Sequence, residues 1–239
     1  MIVFYILALI VTFLGVVINL PGSLHLNPIL LHFYDAKTVL LMTTMYLTLG
    51  ALARIIIFRK EVIKEDLIKI SILAVLGGII GSFLIGVIPE KLIIMLFLFS
   101  GLKYVYDYYR KNKLDNKKDN NTYGLFVSGF FVSFLQTLGI SAGPIRQGYY
   151  FSRGYNLQEI QGTGAVIFLV SGLTAVLSRL FFEDINPKQL FLILPLFPLI
   201  LGMVYLGKRV LYKIPKSLQE KIIIYSLVLS LLSVLPKLL

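Results

Sequence analysis

Two short stretches rich in glycine, proline and small polar residues interrupt an otherwise apolar chain, and both carry groups that could hold a small anion. The first is Pro21-Gly22-Ser23-Leu24-His25-Leu26-Asn27-Pro28; the second is Ser141-Ala142-Gly143-Pro144-Ile145-Arg146-Gln147-Gly148. Such residues unwind a membrane helix and leave backbone N–H and C=O groups without intrahelical partners. In lipid that backbone must be buried in protein or line a polar cavity. Exposed N–H groups at the start of the next half-helix, at its positive dipole end, favour a negative ligand. The candidate ligand contacts are Ser23, His25 and Asn27 in the first stretch and Ser141, Gly143, Arg146 and Gln147 in the second. Asn19 and Gln136 lie slightly upstream, and Thr43 and Thr163 begin the helices that follow. Thr44, Gln161, Gly162 and Gly164 add small or polar groups beside them. The two threonine hydroxyls would bond either a substrate or a carbonyl one turn back.

Arg146 gives the pair of stretches a ligand sign, because a guanidinium beside a broken helix binds a sulfonate, sulfite or carboxylate through parallel hydrogen bonds. Its counterpart is Leu26, so the site would be asymmetric; the alternative for Arg146 is snorkelling to a lipid headgroup near Arg153. His25 and His32 are the only histidines, and either would suit a proton-coupled carrier or a purely structural role. No Asp/Glu pair falls mid-span for acid–base work, for a metal or for sodium. With no cysteine, no His-Glu-x-x-His pair and no facing carboxylates, neither an enzyme nor a bound metal or cofactor is expected.

These groups have to be held by membrane helices. A chain of 239 residues that is 57% hydrophobic and only 15% charged is too apolar for an ordinary soluble domain, so lipid must cover part of it. Eight runs can be marked, at 2–20, 38–58, 70–88, 92–107, 123–142, 160–178, 189–207 and 221–235. Most approach the ~20 residues that cross a ~30 Å hydrocarbon core. The expected class is therefore an all-α, polytopic integral membrane protein with about eight main helices. Met1–Leu20 lacks a basic start and a cleavage pattern and reads as a retained first helix. Tyr104, Tyr106, Tyr108 and Tyr109 form an interfacial aromatic cluster. A net charge of +11 sits in the loops, where it signals topology and anionic lipid rather than nucleic acid.

The chain repeats itself. An offset of 120 positions carries the first stretch onto the second, Thr43 onto Thr163 and Arg59 onto Arg179; after a one-residue slip Gly81 and Gly86 fall on Gly202 and Gly207. The glycines suit close helix contact. The polar segment Arg110 to Thr122 divides the chain into a first repeat, 1–108, a basic linker, 109–122, and a second repeat, 123–239. The loop after the second run is basic (Arg59, Lys60, Lys64, Lys69), whereas its counterpart carries Glu183 and Asp184 beside Arg179 and Lys188. The loop after the seventh run is basic again, with Lys208, Arg209, Lys213, Lys216 and Lys221. Basic loops face the cytoplasm, so equivalent loops lie on opposite sides, the mark of an inverted repeat with a short or re-entrant helix at 21–36 and 141–155. Parallel four-helix repeats are the alternative.

In their order and duplication these motifs resemble the sulfite exporter TauE/SafE family, also called the four-toluene-sulfonate uptake permease family. Leu138-Gly139-Ile140-Ser141-Ala142-Gly143-Pro144 with Gln161-Gly162-Thr163-Gly164 looks like the family's second helix break and following helix start; Pro21-Gly22-Ser23 through Pro28, then Thr43-Thr44, looks like the first. Neither break has the full glycine triplet, and Arg146 stands where an apolar residue is usual. The resemblance implies a carrier of sulfite, organosulfonates or related small anions. The expectation is a secondary transporter in the plasma or inner membrane, alternating access to a site between the two breaks. Its partners would be that anion and membrane lipids, with proton coupling and homo-oligomerisation open. The alternative is a membrane-embedded assembly subunit that transports nothing.

Overall fold

The computed structural model describes residues 2–17, 22–64, 67–89, 91–92, 95, 99, 102, 122–138, 150, 157–182, 191, 193–211 and 232. Most of those residues are helical, with no strand among them. The helices are α1 (Ile2–Val17), α2 (Gly22–Leu30), α3 (Ala36–Ile57), α4 (Leu67–Val87), α5 (Thr122–Phe126), α6 (Val132–Thr137), α7 (Leu157–Phe182) and α8 (Phe197–Leu211). A π-helical segment, Val127–Phe131, joins α5 to α6, and a 3-10 turn, Leu194–Leu196, leads into α8. Pro195 and Pro198 explain why α8 starts later than the apolar run at 189–207, since proline is tolerated only in a helix's first turn. The runs at 92–107 and 221–235 lie largely outside the described residues, as do the linker up to Asn121 and the segment 139–149.

Among the described residues, three helices are long and apolar enough to cross a membrane: Ala36–Ile57, Leu67–Leu84 and Gln158–Phe181. Their outward faces carry large apolar side chains such as Ile68, Phe83, Leu177 and Phe181, the last 84% exposed. So contiguous an apolar surface needs lipid. Inward, Phe4, Leu26, Leu30, Val39, Tyr46, Phe58, Ile200 and Val204 belong to one buried cluster formed by α1, α2, α3 and α8. Ile70, Ala74, Ile160 and Ile167 join α4 to α7 in a second.

Close contacts set the helix directions. Midway along, Gly172 of α7 meets Thr48 of α3, and nearer one end a Cβ on Gly162 would lie 3.0 Å from Phe58 O. Position numbers fall on one helix as they rise on the other, so α3 and α7 are antiparallel. Gly129 packs on Ile70 and Leu73, and Gly81 on Phe134 and Thr137, so the α5–α6 run is parallel to α4. Ser82 Oγ donates to Ala175 O at 3.4 Å, and Gly78 meets Thr174, so α4 also parallels α7. At its far end α8 brings Gly207 against Val16 of α1 and Lys208 Nζ within 3.0 Å of Ile57 O.

One end of the bundle therefore gathers the ends of α1, α3 and α8 with the starts of α4, α5 and α7. There the turn Arg59–Glu61 is clasped from two sides. Lys208 Nζ bonds Glu61 Oε1 at 3.0 Å and sits 4.5 Å over the Phe58 ring, while Ile63 N–H donates to Thr163 Oγ1 at 2.9 Å. Arg59, Lys60, Lys64, Lys69 and Arg209 are exposed at this end.

α2 is the unusual element. A Cβ on Gly22 would stand 3.0 Å from Leu47 and 3.3 Å from Val11, so the helix begins at the mid-height of α1 and α3. It runs nine residues and carries Pro28 inside. It then turns through Leu31–Tyr34 to Asp35, whose carboxylate accepts from Thr38 N–H at 2.9 Å and caps α3. The expected short helix of the first break is thus Gly22–Leu30, starting inside the bundle.

Candidate functional site

The start of α2 opens on a small, half-open cavity. α2 contributes Ser23 and Asn27, and α3 contributes Leu40, Thr43, Thr44 and Leu47. From the other half of the chain α6 supplies Gln136 and Thr137, and α7 supplies Phe168, Ser171, Gly172 and Ala175. The spacing on each helix is that of one face: 23 and 27 on α2, 40, 43, 44 and 47 on α3, 168, 171, 172 and 175 on α7.

Two atoms in this lining are chemically out of balance. Asn27 Oδ1 and Thr43 Oγ1 are buried and have no hydrogen-bond partner among the described residues. Their residues are only 2% and 3% exposed. A buried polar atom without a partner costs on the order of 1–3 kcal/mol. Two on neighbouring helices, at one cavity, make it the candidate site.

Three further hydroxyls of the lining are tied to their own helices. Thr44 Oγ1 donates to Leu40 O at 2.6 Å, Thr137 Oγ1 to Ser133 O at 2.9 Å and Ser171 Oγ to Phe168 O at 3.2 Å. No charged side chain lines the cavity among the described residues. The nearest cation bonded to the lining is Arg179, only 1% exposed, whose Nη2 donates to Thr137 O at 2.7 Å. This arginine lies one turn beyond Ala175 on the same face of α7. Sequence reading assigns it to a loop with Glu183 and Asp184; α7 instead continues through it to Phe182 and buries it.

The model of the family described as Sulfite exporter TauE/SafE matches residues 4–234, nearly the whole chain. The chain belongs to the sulfite exporter TauE/SafE family. Neither a curated protein nor a solved structure matches it. As a TauE/SafE protein it is a membrane transporter, in keeping with its apolar spans.

Of the residues singled out in this TauE/SafE chain from sequence, the cavity brings together Ser23, Asn27 and Thr43, with Thr44 and Gln136 beside them. His25 is buried on the same helix but is not part of the lining. Thr163 is buried elsewhere, accepting the Ile63 N–H that anchors the turn after α3, and Gln161 Nε2 reaches Gly15 O at 3.5 Å. Ser141, Gly143, Arg146 and Gln147 lie outside the described residues. Thr137, Ser171 and Arg179 join the site from the structure alone.

Proposed function

We propose that this chain is a secondary transporter of a small anion, a sulfur oxyanion such as sulfite, an organosulfonate or a related carboxylate, working by alternating access at the cavity between α2, α3, α6 and α7. The observation that carries the proposal is the pair of buried, unpartnered atoms Asn27 Oδ1 and Thr43 Oγ1 at a cavity lined from both halves of the chain. A scaffold that transports nothing has no need of that arrangement. In this reading Arg146 and the backbone of the second break complete the site, and the transporter spans the plasma membrane several times.

The repeats, 1–108 and 123–239 with the linker 109–122 between them, are proposed to be inverted. Their equivalent helices support this. α3 and α7 correspond at the offset of 120 and run antiparallel. α4 and α8 correspond through Gly81 and Gly202; α4 starts and α8 ends at the basic end. α1 and the α5–α6 run correspond too, and α1 ends where α5 starts. Opposed equivalents suit alternating access by rocking of one repeat against the other.

Reconstitution into proteoliposomes tests the proposal. Uptake or exchange of sulfite, sulfonates, thiosulfate or small carboxylates is expected, and Asn27→Ala combined with Thr43→Val should abolish most of it. No flux of any of these anions would favour the scaffold.

A further inference from the structure

We infer that the turn after α3, from Phe58 to Ile63, is the inner gate of the carrier, and that Lys208 with Glu61 is the lock that holds it shut. The inference rests on the transport reading and deepens it. The turn lies in the first repeat, and both groups that clasp it come from the second. From α8, Lys208 Nζ donates to Ile57 O and to Glu61 Oε1, each at 3.0 Å, and lies 4.5 Å over the Phe58 ring. One ammonium thus caps the carbonyl end of α3, where positive charge is favoured, and pairs with the carboxylate just beyond it. From the start of α7, Thr163 Oγ1 accepts the Ile63 N–H at 2.9 Å. Beside it Gly162 allows a close approach, since a Cβ there would stand 3.0 Å from Phe58 O and 3.3 Å from the Glu61 carbonyl carbon.

The cavity lies away from this clasp. Its lining takes α3 from Leu40 to Leu47 and α7 from Phe168 to Ala175, from mid-height toward the end remote from the turn. About 15 Å of α3 separates Leu47 from Ile57. Over that length α3 closes on α7, from Thr48 against Gly172 to Phe58 against Gly162. In this state the route from the basic end is shut, and alternating access requires it to open. The lock is built to be broken. The Lys208 and Glu61 side chains are 28% and 22% exposed, so water competes for the pair and it holds only weakly. Glu61 Oε2 is buried with no hydrogen-bond partner among the described residues, a cost of the closed state that hydration on opening removes. A weak contact with such an internal cost sets the balance between two states rather than fixing one.

Ala51 can report the gate. It lies between Thr48 and Phe58 on the face of α3 that meets α7, and it is 4% exposed. The chain has no cysteine, so a thiol placed there is read alone. In vesicles holding the whole chain, Ala51→Cys should react slowly with a membrane-impermeant thiol reagent added on the side of the basic end. Glu61→Gln or Lys208→Met should speed that reaction severalfold. The double variant should be no faster than Lys208→Met, because both changes remove one contact. Joining Glu61→Cys to Lys208→Cys with a short bifunctional thiol reagent should stop anion flux, while the same pair left unjoined should carry it. Rapid labelling before either lock residue is changed, labelling unaltered in both single variants, additive effects in the double, or full flux through the joined pair would each overturn the inference and leave transport standing. Labelling needs no substrate. A chain that shows the faster labelling yet carries no sulfite, sulfonate, thiosulfate or small carboxylate would overturn the transport reading, and the gate with it.

Discussion

Thr43 shows how a ligand site differs from a packing site at the scale of one residue. Three neighbouring hydroxyls in the lining bond back to carbonyls of their own helices, the usual resting state of serine and threonine in apolar helices. Thr43 has no such partner among the described residues, although it is 3% exposed. Keeping that hydroxyl unbonded costs stability, so its removal should move stability and transport in opposite directions. Thr43→Val is expected to leave the melting temperature in detergent unchanged or raise it, because it deletes an unsatisfied buried atom worth about 1–3 kcal/mol. The same variant should raise KM for the transported anion about five- to tenfold, the loss of a hydrogen bond of about 1 kcal/mol. Thr43→Ser should restore transport. A lower melting temperature with transport intact would make Thr43 a packing residue.

At the scale of elements, the crossing of α3 and α7 and the cap of α3 carry separate predictions. Gly172 lies against Thr48, where a Cβ would collide with the Thr48 hydroxyl, whereas Gly164, two turns earlier on α7, has nothing within 4 Å. Alanine is a better helix former than glycine by about 1 kcal/mol. Gly164→Ala should therefore be neutral or stabilising, while Gly172→Ala should lower the melting temperature and impair transport by forcing the helices apart beside the cavity. Thr48→Ala should rescue Gly172→Ala, and failure of that rescue would show that the contact does not limit the approach. At the start of α3, partial burial pushes the Asp35 carboxyl upward. Hydrogen bonds from the Thr38 side chain and from the backbone of Thr38, Asp35 and Lys37 outweigh it and hold the carboxyl below its ordinary range. Its ionised form is thus favoured by folding. The stabilisation is present above the unfolded-state pKa and is lost as pH falls through the lower folded-state value. Asp35→Ala should cost about 1 kcal/mol at neutral pH. Asp35→Asn, which keeps an acceptor for the cap, should mainly flatten the acid limb of a melting-temperature profile.

For the whole molecule, the first break and the membrane class were legible in the sequence because they depend on residue types and spacing. So were Ser23, Asn27, Thr43, Thr44 and Gln136, polar groups next to a visible interruption. Thr137 and Ser171 were not, since a hydroxyl in an apolar helix has the same sequence signature whether it faces a cavity or packs. Helix faces were equally hidden, because lipid and protein interior are both apolar and blunt the periodicity that marks a soluble helix. Thus Arg179 passed for a loop charge, and Thr163 for a cavity neighbour when its hydroxyl holds the turn after α3. What the sequence did place was charge, and that yields a test of the whole architecture. α3 has 22 residues, about 33 Å of helix, enough to carry Asp35 and Arg59 to opposite surfaces of a ~30 Å core. The clasp of Lys208 on Glu61 and Ile57 brings the end of α8 to the Arg59 side, so Arg59, Lys60, Lys208 and Arg209 share one surface, the one proposed to face the cytoplasm. The natural chain has no cysteine, so single cysteines report their side without background. With a membrane-impermeant thiol reagent, Lys60→Cys and Arg209→Cys should be labelled only from the cytoplasmic side, and His32→Cys and Pro89→Cys only from the other. Labelling of Lys60→Cys and His32→Cys from one side would mean that α3 does not cross, and labelling of Lys60→Cys and Arg209→Cys from opposite sides would refute the inverted arrangement.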